Sequence, residues 1–520
     1  LAARWSSAAP GDYDLSAVAT RVPLAFLAAL GRHSRSALPD DLTASGDLNA
    51  AFGFHSHNGL RNWHGTGMTS PFMLRSAVSE KPFPVSAVRF HVGPQETAAI
   101  FGNRRSKQLP VPAQADALTI DTFSVQLGPS TTLEVQGSAD ATGYWIGAKG
   151  MVPLERLLVL GKATGFASNV KNTTASAVVD MNISGPWQNF AAAKVRGTAH
   201  LQNAASWIPG IKDRLLISEA DAQLSEVEFV LTHMKAQFEH TPVAFTGTVN
   251  YPWSCSGGPP CPIEFDLHSD SMALADAGGL FVADKGWGLP FLSDSSNKLP
   301  DFRASGTFSA GQFSVARLPL ENFKAHVEVG DNALLISHIS ARLGGGSTEG
   351  DWRMDWSSGT PRFDASGSLN NVALEKIESA GPAFDLLSNW ITGHADLKYS
   401  AKFQGLTRQN MINTAAGRIE YVVNSGSSRA MLLDGAKPFR FQSVQGALEL
   451  EKQTLKVLPG KFRAENRIYA LSGIISLSDK QAKLRLSNGG LRWEITGALE
   501  KPVIAPQQTA AQTAAARATR

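Results

Sequence analysis

From Gly350 the chain reads G-D-W-R-M-D-W, a strict alternation of apolar and charged residues. Side chains in a strand point to opposite faces in turn, so Trp352, Met354 and Trp356 share one face and Asp351, Arg353 and Asp355 the other. "SSGTP" supplies a turn, and a return strand then places Phe363, Ala365 and Leu369 opposite Arg362, Asp364 and Ser366. The same hairpin pattern recurs. "FTGTVNY" with "PIEFDL" aligns Val249 and Tyr251 with Phe265 and Leu267, and "LSGIISL" with "AKLRLS" aligns Ile475 and Leu477 with Leu484 and Leu486. In each case apolar residues stand two and four places after a glycine: Gly247, Gly350 or Gly473. "TGHADLKY" (Gly393, Leu397), "QGALEL" (Gly446, Leu448, Leu450) and "SGDLNAAF" (Gly46, Leu48) extend the series.

A second pattern has helical period. Val22 to Gly31 and Val152 to Gly161 both read V-P-L-x-x-L-x-x-L-G, with proline at the first turn and glycine just past the end, the signature of a short helix. Weaker copies lie at Met272 to Leu280 and Val372 to Ile377. Strands followed by a short helix, repeated at irregular intervals, predict a mainly β protein. The expected form is an elongated, curved antiparallel sheet or sheets built from degenerate repeats, forming an apolar groove with a few short helices. The expected divisions are 1–140 and 141–300 as β-rich repeat regions, 301–505 as a third β region, and 506–520 as a disordered tail poor in large apolar residues. A stripe of this kind is also the inner face of a closed sandwich, and alternation alone does not separate the two.

Composition narrows the function. Of 520 residues, 48 are basic and 45 acidic, a net charge of +3 without a long basic run, which gives no support to nucleic-acid binding. The chain opens at Leu1 in the middle of a pattern and reads as a processed or partial form. Its longest apolar stretch near the start, "VPLAFLAAL", is far short of the roughly 20 residues of a membrane helix, so no anchor is expected within this chain. Cys255 and Cys261 flank a Gly- and Pro-rich loop and read as a disulfide, which would imply an oxidising compartment; a metal pair and two free thiols are the alternatives. No nucleophile elbow or zinc-protease motif occurs, no carboxylate pair stands out, and no cofactor is expected. "LGGGSTEG" (Leu343 to Gly350) lacks the lysine of a phosphate loop and reads as a bend between strands. His55, His57 and His64 are weak metal candidates: the first two share a strand face and the third would approach across a hairpin, but a polar solvent-facing strand with histidines is the favoured reading.

From about Asp301 to Pro506 the chain resembles the C-terminal region of the AsmA-like family of bacterial envelope proteins. The likeness is carried by "ASGTFSAGQFSVARLPLENFKAHVEVGDNALLISHISARLGGGSTEGDWRMDW", "GSLNNVALEKI", "ITGHADLKYSAKFQG" and "YALSGIISLSDKQAKLRLSNGGLRWEITGALEKPVIAP". Residues 1 to 300 resemble the same style more loosely. The resemblance implies a periplasmic β-rich body anchored to the inner membrane by an N-terminal helix that this chain lacks. It also implies kinship with bridge-like lipid-transfer proteins, phospholipid or another acyl lipid as partner, contact with the inner or outer membrane, and a role in outer-membrane integrity without catalytic residues. Under this reading Val249, Tyr251, Phe265, Leu267, Trp352, Met354, Trp356, Phe363, Leu397, Leu448, Leu450, Ile475, Leu477, Leu484 and Leu486 line the groove. A structural β-scaffold that binds other envelope proteins is the competing expectation.

Overall fold

The computed structural model describes residues 2–9, 12–33, 39–57, 60–94, 116–165, 173–186, 193–207, 213–252, 262–279, 303–315, 317–358, 360–377, 391–405, 407–433, 437–464, 467–489, 491–499 and 502–506. The Cys255–Cys261 loop and the residues after Pro506 lie outside this set. Thirty strands and four short α-helices among the described residues make the protein mainly β. The chain divides into two units, Leu1–Trp207 with Leu216–Met234, and Ile208–Leu215 with Lys235–Arg520.

The first unit contains β1 (Ala2–Ala9), β2 (Asp12–Pro23), β3 (Thr43–Ser45), β4 (Asp47–His57), β5 (Leu60–Thr69), β6 (Phe72–Arg75), β7 (Phe83–Val85), β8 (Arg89–Pro94), β9 (Asp116–Gln126), β10 (Thr132–Ala139), β11 (Gly143–Pro153), β12 (Thr174–Pro186) and β13 (Lys194–Ser206). The long strands pair antiparallel in the order β1-β2-β4-β5-β8-β9-β10-β11-β12-β13. The chain passes between the units around β14 (Leu215–Leu224) and β15 (Glu228–Phe238).

The second unit holds β16 (Ala244–Pro252), β17 (Pro262–Ala273), β18 (Arg303–Val315), β19 (Leu318–Gly330), β20 (Ala333–Leu343), β21 (Gly346–Asp355), β22 (Arg362–Ala373), β23 (His394–Gln404), β24 (Ala416–Leu433), β25 (Lys437–Glu451), β26 (Thr454–Ala464), β27 (Arg467–Ser476), β28 (Gln481–Asn488), β29 (Leu491–Ala498) and β30 (Val503–Pro506), each paired to the next. The pairing is antiparallel as expected except in one place, where β17 and β18 run parallel. A tight turn cannot make that connection, so the chain leaves β17 through a helix, as parallel neighbours require. The glycine run of "LGGGSTEG" is a two-residue hairpin turn. Gly344 and Gly345 both have positive φ (57° and 86°) between the paired Leu343 and Gly346, the conformation a type I′ turn demands.

The expected helices form at α1 (Leu24–His33), α2 (Leu154–Ala163) and α3 (Leu274–Gly279); Val372 to Ile377 closes only a 3₁₀ turn at Leu374–Lys376. A fourth helix, α4 (Arg408–Thr414), has no counterpart in the sequence pattern; the Thr407 side chain caps it by accepting from the Asn410 N–H.

The repeat is visible as a hydrogen-bonded cassette. In the first unit, Arg21 takes a left-handed conformation at a bulge in β2 and its N–H bonds the Asn49 side chain at 3.0 Å, while the Leu24 N–H bonds the Gly46 carbonyl at 2.8 Å. In the second, Asn371 is left-handed at a bulge in β22 and its N–H bonds Asp396 Oδ1 at 2.7 Å, while the Leu374 N–H bonds the Gly393 carbonyl at 3.0 Å. Donors and acceptors have the same spacing in both copies. His338, left-handed at the bulge in β20, is caught in the same way by Asp351 Oδ1 at 2.9 Å. A bulge leaves one residue out of the ladder and bends the strand; the side-chain acceptor satisfies the N–H that the ladder no longer uses. Asp396→Ala should therefore lower stability by about 1–2 kcal/mol, with Asp396→Asn retaining most of it, read as a shift in the urea midpoint at unchanged m-value. An unchanged midpoint for Asp396→Ala would show that water replaces the carboxylate.

Candidate functional site

Directly paired residues of neighbouring strands project from the same face, so the registers trace how apolar positions connect. In the second unit one row runs Val249, Phe265, Gly306, Val327, Ile336, Trp352, Ala365, Ala401, Gly417, Leu450, Leu455, Ile475, Ala482, Gly497. Each member is paired to the next across β16 to β29, and none is polar. Every member except Ala482 is only partly buried. A neighbouring row runs Gly350, Gly367, Tyr399, Ile419, Leu448, Val457, Gly473, Leu484, Ile495, Ile504.

The opposite face is charged. Cross-strand partners there are Lys402 with Asp364 at 3.2 Å and Arg418 with Glu449 at 3.2 Å, both exposed and worth little stability. The segregation is therefore one of faces: an apolar side that is only half covered and an ionic side in water.

Burial divides the anticipated residues. Trp352, Val249, Phe265, Leu267, Leu397, Leu448, Leu450 and Ile475 are half-buried on the apolar face, whereas Met354, Phe363, Leu484 and Leu486 are buried. Met354 and Phe363 are sealed by Met411 from α4, with Leu334, Trp352, Trp356 and Phe403 around them; the Phe363 and Phe403 rings stack 4.9 Å apart. Trp356 lies just beyond the end of β21, its N–H on the Asn332 carbonyl. Tyr251 and Leu477 are exposed (44% and 41%), and Leu477 sits past the end of β27. The stretch at Gly350 is thus part open face and part plugged end.

Sequence reasoning nominated no groove residue in the first unit, yet a row of the same kind runs there through Gly67, Phe90, Ile120, Gly137, Ile146, Ile183 and Val195. Its members Ile120, Gly137 and Ile146 line an apolar depression of about 200 Å³ together with Leu118, Phe123, Val135 and Tyr144. The signal was there in "YWIGAK" and "VVDMNIS", but small residues and glycines weaken the alternation.

The three histidines do share one face, and the His55 and His64 rings stack 4.7 Å apart. Each of the first two is nevertheless held by its own carboxylate, His55 by Asp14 and His57 by Asp12 at 2.9 Å, and both are well exposed. Among the described residues the ligand atoms that converge are those of Asp213, Glu239 and His240. Asp213 is buried and saturated: its carboxylate accepts the backbone N–H groups of His240 (2.9 Å) and Thr241 (2.8 Å) and pairs with His240 Nδ1 at 3.0 Å. Burial would raise its pKa, but the bonds from His240 and Thr241 outweigh it and hold the carboxyl well below the usual range; the same pair pushes His240 up. This cluster staples a loop.

No helix among the described residues is long and apolar enough to cross a membrane. No family model, curated protein or solved structure matches the chain.

Proposed function

We propose that the protein is a non-enzymatic envelope component that holds or conducts phospholipids, or other acyl lipids, along the apolar face of its curved sheet. The observation that carries this reading is the central row of the second unit, apolar without interruption from Val249 to Gly497 and left partly open along its length. Exposing two sixteen-carbon chains to water costs on the order of 20 kcal/mol, and an apolar track removes most of that cost without any fixed polar site. The charged reverse face keeps such a body soluble. The reading agrees with the family resemblance of residues 301–506, and with it go a periplasmic location, attachment to the inner membrane and support of the outer membrane.

Mass spectrometry of organic extracts from the purified, folded chain tests it. Stoichiometric acyl lipid in the wild type, lost from a folded Leu450→Asp/Ile475→Asp variant, is the expected result. A well-folded wild type free of lipid, before and after incubation with phospholipid vesicles, would transfer the case to a protein-binding scaffold.

A further inference from the structure

We propose that Tyr399 and Tyr421 are hydrogen-bond donors to the ester carbonyls of an acyl lipid lying on the apolar face, and so set a preference for ester lipids over plain hydrocarbon chains. The inference rests on the lipid-holding function above and gives that function its specificity.

The two tyrosines stand on adjacent strands, β23 and β24, at diagonal positions of one face: Tyr399 pairs with Ile419 and Tyr421 with Leu397. Their rings lie flat over glycines in opposite directions. A Cβ at Gly367 would stand 2.8 Å from the Tyr399 hydroxyl and one at Gly350 3.3 Å from it. A Cβ at Gly446 would stand 2.9 Å from the Tyr421 hydroxyl and 3.4 Å from the Gly460 Cα. The glycines make room for the phenols, and the phenols spread across β21 to β25.

Tyr399 supplies the one polar side-chain group of its row, which is otherwise Gly350, Gly367, Ile419, Leu448, Val457, Gly473, Leu484, Ile495 and Ile504. The row of Tyr421 begins Thr348, Leu369, Leu397, and Thr348 is buried. Of the other tyrosines of this face, Tyr251 is exposed near the end of β16 and Tyr469 sits near the start of β27, both at its margins. Neither the Tyr399 nor the Tyr421 hydroxyl has a hydrogen-bond partner among the described residues, and neither is sealed from the open side. Burial raises both phenol pKa values, with the Asp351 charge adding to the shift at Tyr399, so both remain donors at neutral pH.

A donor left in apolar surroundings is matched by a ligand that brings its own acceptor. A phosphate would call for a cation, and neither tyrosine row contains one. A hydrocarbon chain has no acceptor. The ester carbonyl is neutral, accepts a hydrogen bond, and sits where an acyl chain meets its headgroup.

The test compares dipalmitoyl phosphatidylglycerol with its dialkyl ether analogue, which keeps chains and headgroup but lacks both carbonyls. The full chain is equilibrated with vesicles of each, and retained lipid is quantified by mass spectrometry. The wild type should retain the ester lipid about tenfold more tightly, and a Tyr399→Phe/Tyr421→Phe variant should bring the two within about twofold while ether binding stays unchanged. Equal retention of ester and ether by the wild type, or a preference that survives in the variant, overturns the inference and leaves the lipid-holding function standing. Retention of neither lipid overturns both.

Discussion

Met354→Asp should abolish cooperative folding, while Trp352→Asp, two residues earlier on the same face of the same strand, should leave a folded protein that no longer retains lipid. Met354 is fully buried beneath Met411, Trp356 and Phe403. A carboxylate there has no partner and no water, and its cost of about 4 kcal/mol or more would consume much of the stability of an ordinary domain. Trp352 belongs to the half-open central row, so a charge in its place remains hydrated, costs about 1–2 kcal/mol through lost packing, and interrupts the track. Met354→Leu, which conserves volume, should cost under about 1.5 kcal/mol and retain lipid. Circular dichroism melts with lipid extraction on the same samples separate the outcomes. Unfolding of both Asp variants would show a closed core at this point; folding of both with lipid retained would remove the face from the site.

Gly247→Ala and Gly473→Ala should each lower stability by about 3 kcal/mol, whereas Gly489→Ala should cost about 1 kcal/mol. All three glycines have positive φ (149°, 150° and 54°), so each substitution carries backbone strain. The difference is the cross-strand neighbour. A Cβ at Gly247 would overlap the Asp266 carbonyl oxygen and one at Gly473 that of Lys483, while Gly489 has open space around it. Urea midpoints for the three variants check the ranking. Equal losses would show that strain, and not the close approach of the strands, is what requires glycine.

These two cases mark what the sequence carries and what it does not. The glycine two places before an apolar pair was legible, because the close strand contact it permits repeats in linear order. The alternation of Trp352 and Met354 was legible for the same reason, as period two is a local property, and so were α1 and α2, punctuated by Pro23 and Pro153. The difference in burial between Trp352 and Met354 was not legible. It depends on Met411, more than fifty residues away on a seven-residue helix with no periodic signal of its own. The bulges at His338 and Asn371 were hidden because their left-handed backbone is supported by Asp351 and Asp396, which lie on the next strand. The parallel pairing of β17 with β18 depends on how a long connection returns, and no local pattern encodes that.

The cassette shared by Arg21, Leu24, Gly46 and Asn49 in one place and by Asn371, Leu374, Gly393 and Asp396 in another also bears on how such a protein changes its size. Each copy carries its own bend, its own helix start and its own satisfied backbone groups, so a further copy brings nothing that its neighbours must accommodate. Each added strand lengthens the sheet by about 4.8 Å. Duplication or loss of cassettes then works as a ruler: the span of the body follows gene length in small steps, while the chemistry of its surface is passed on unaltered.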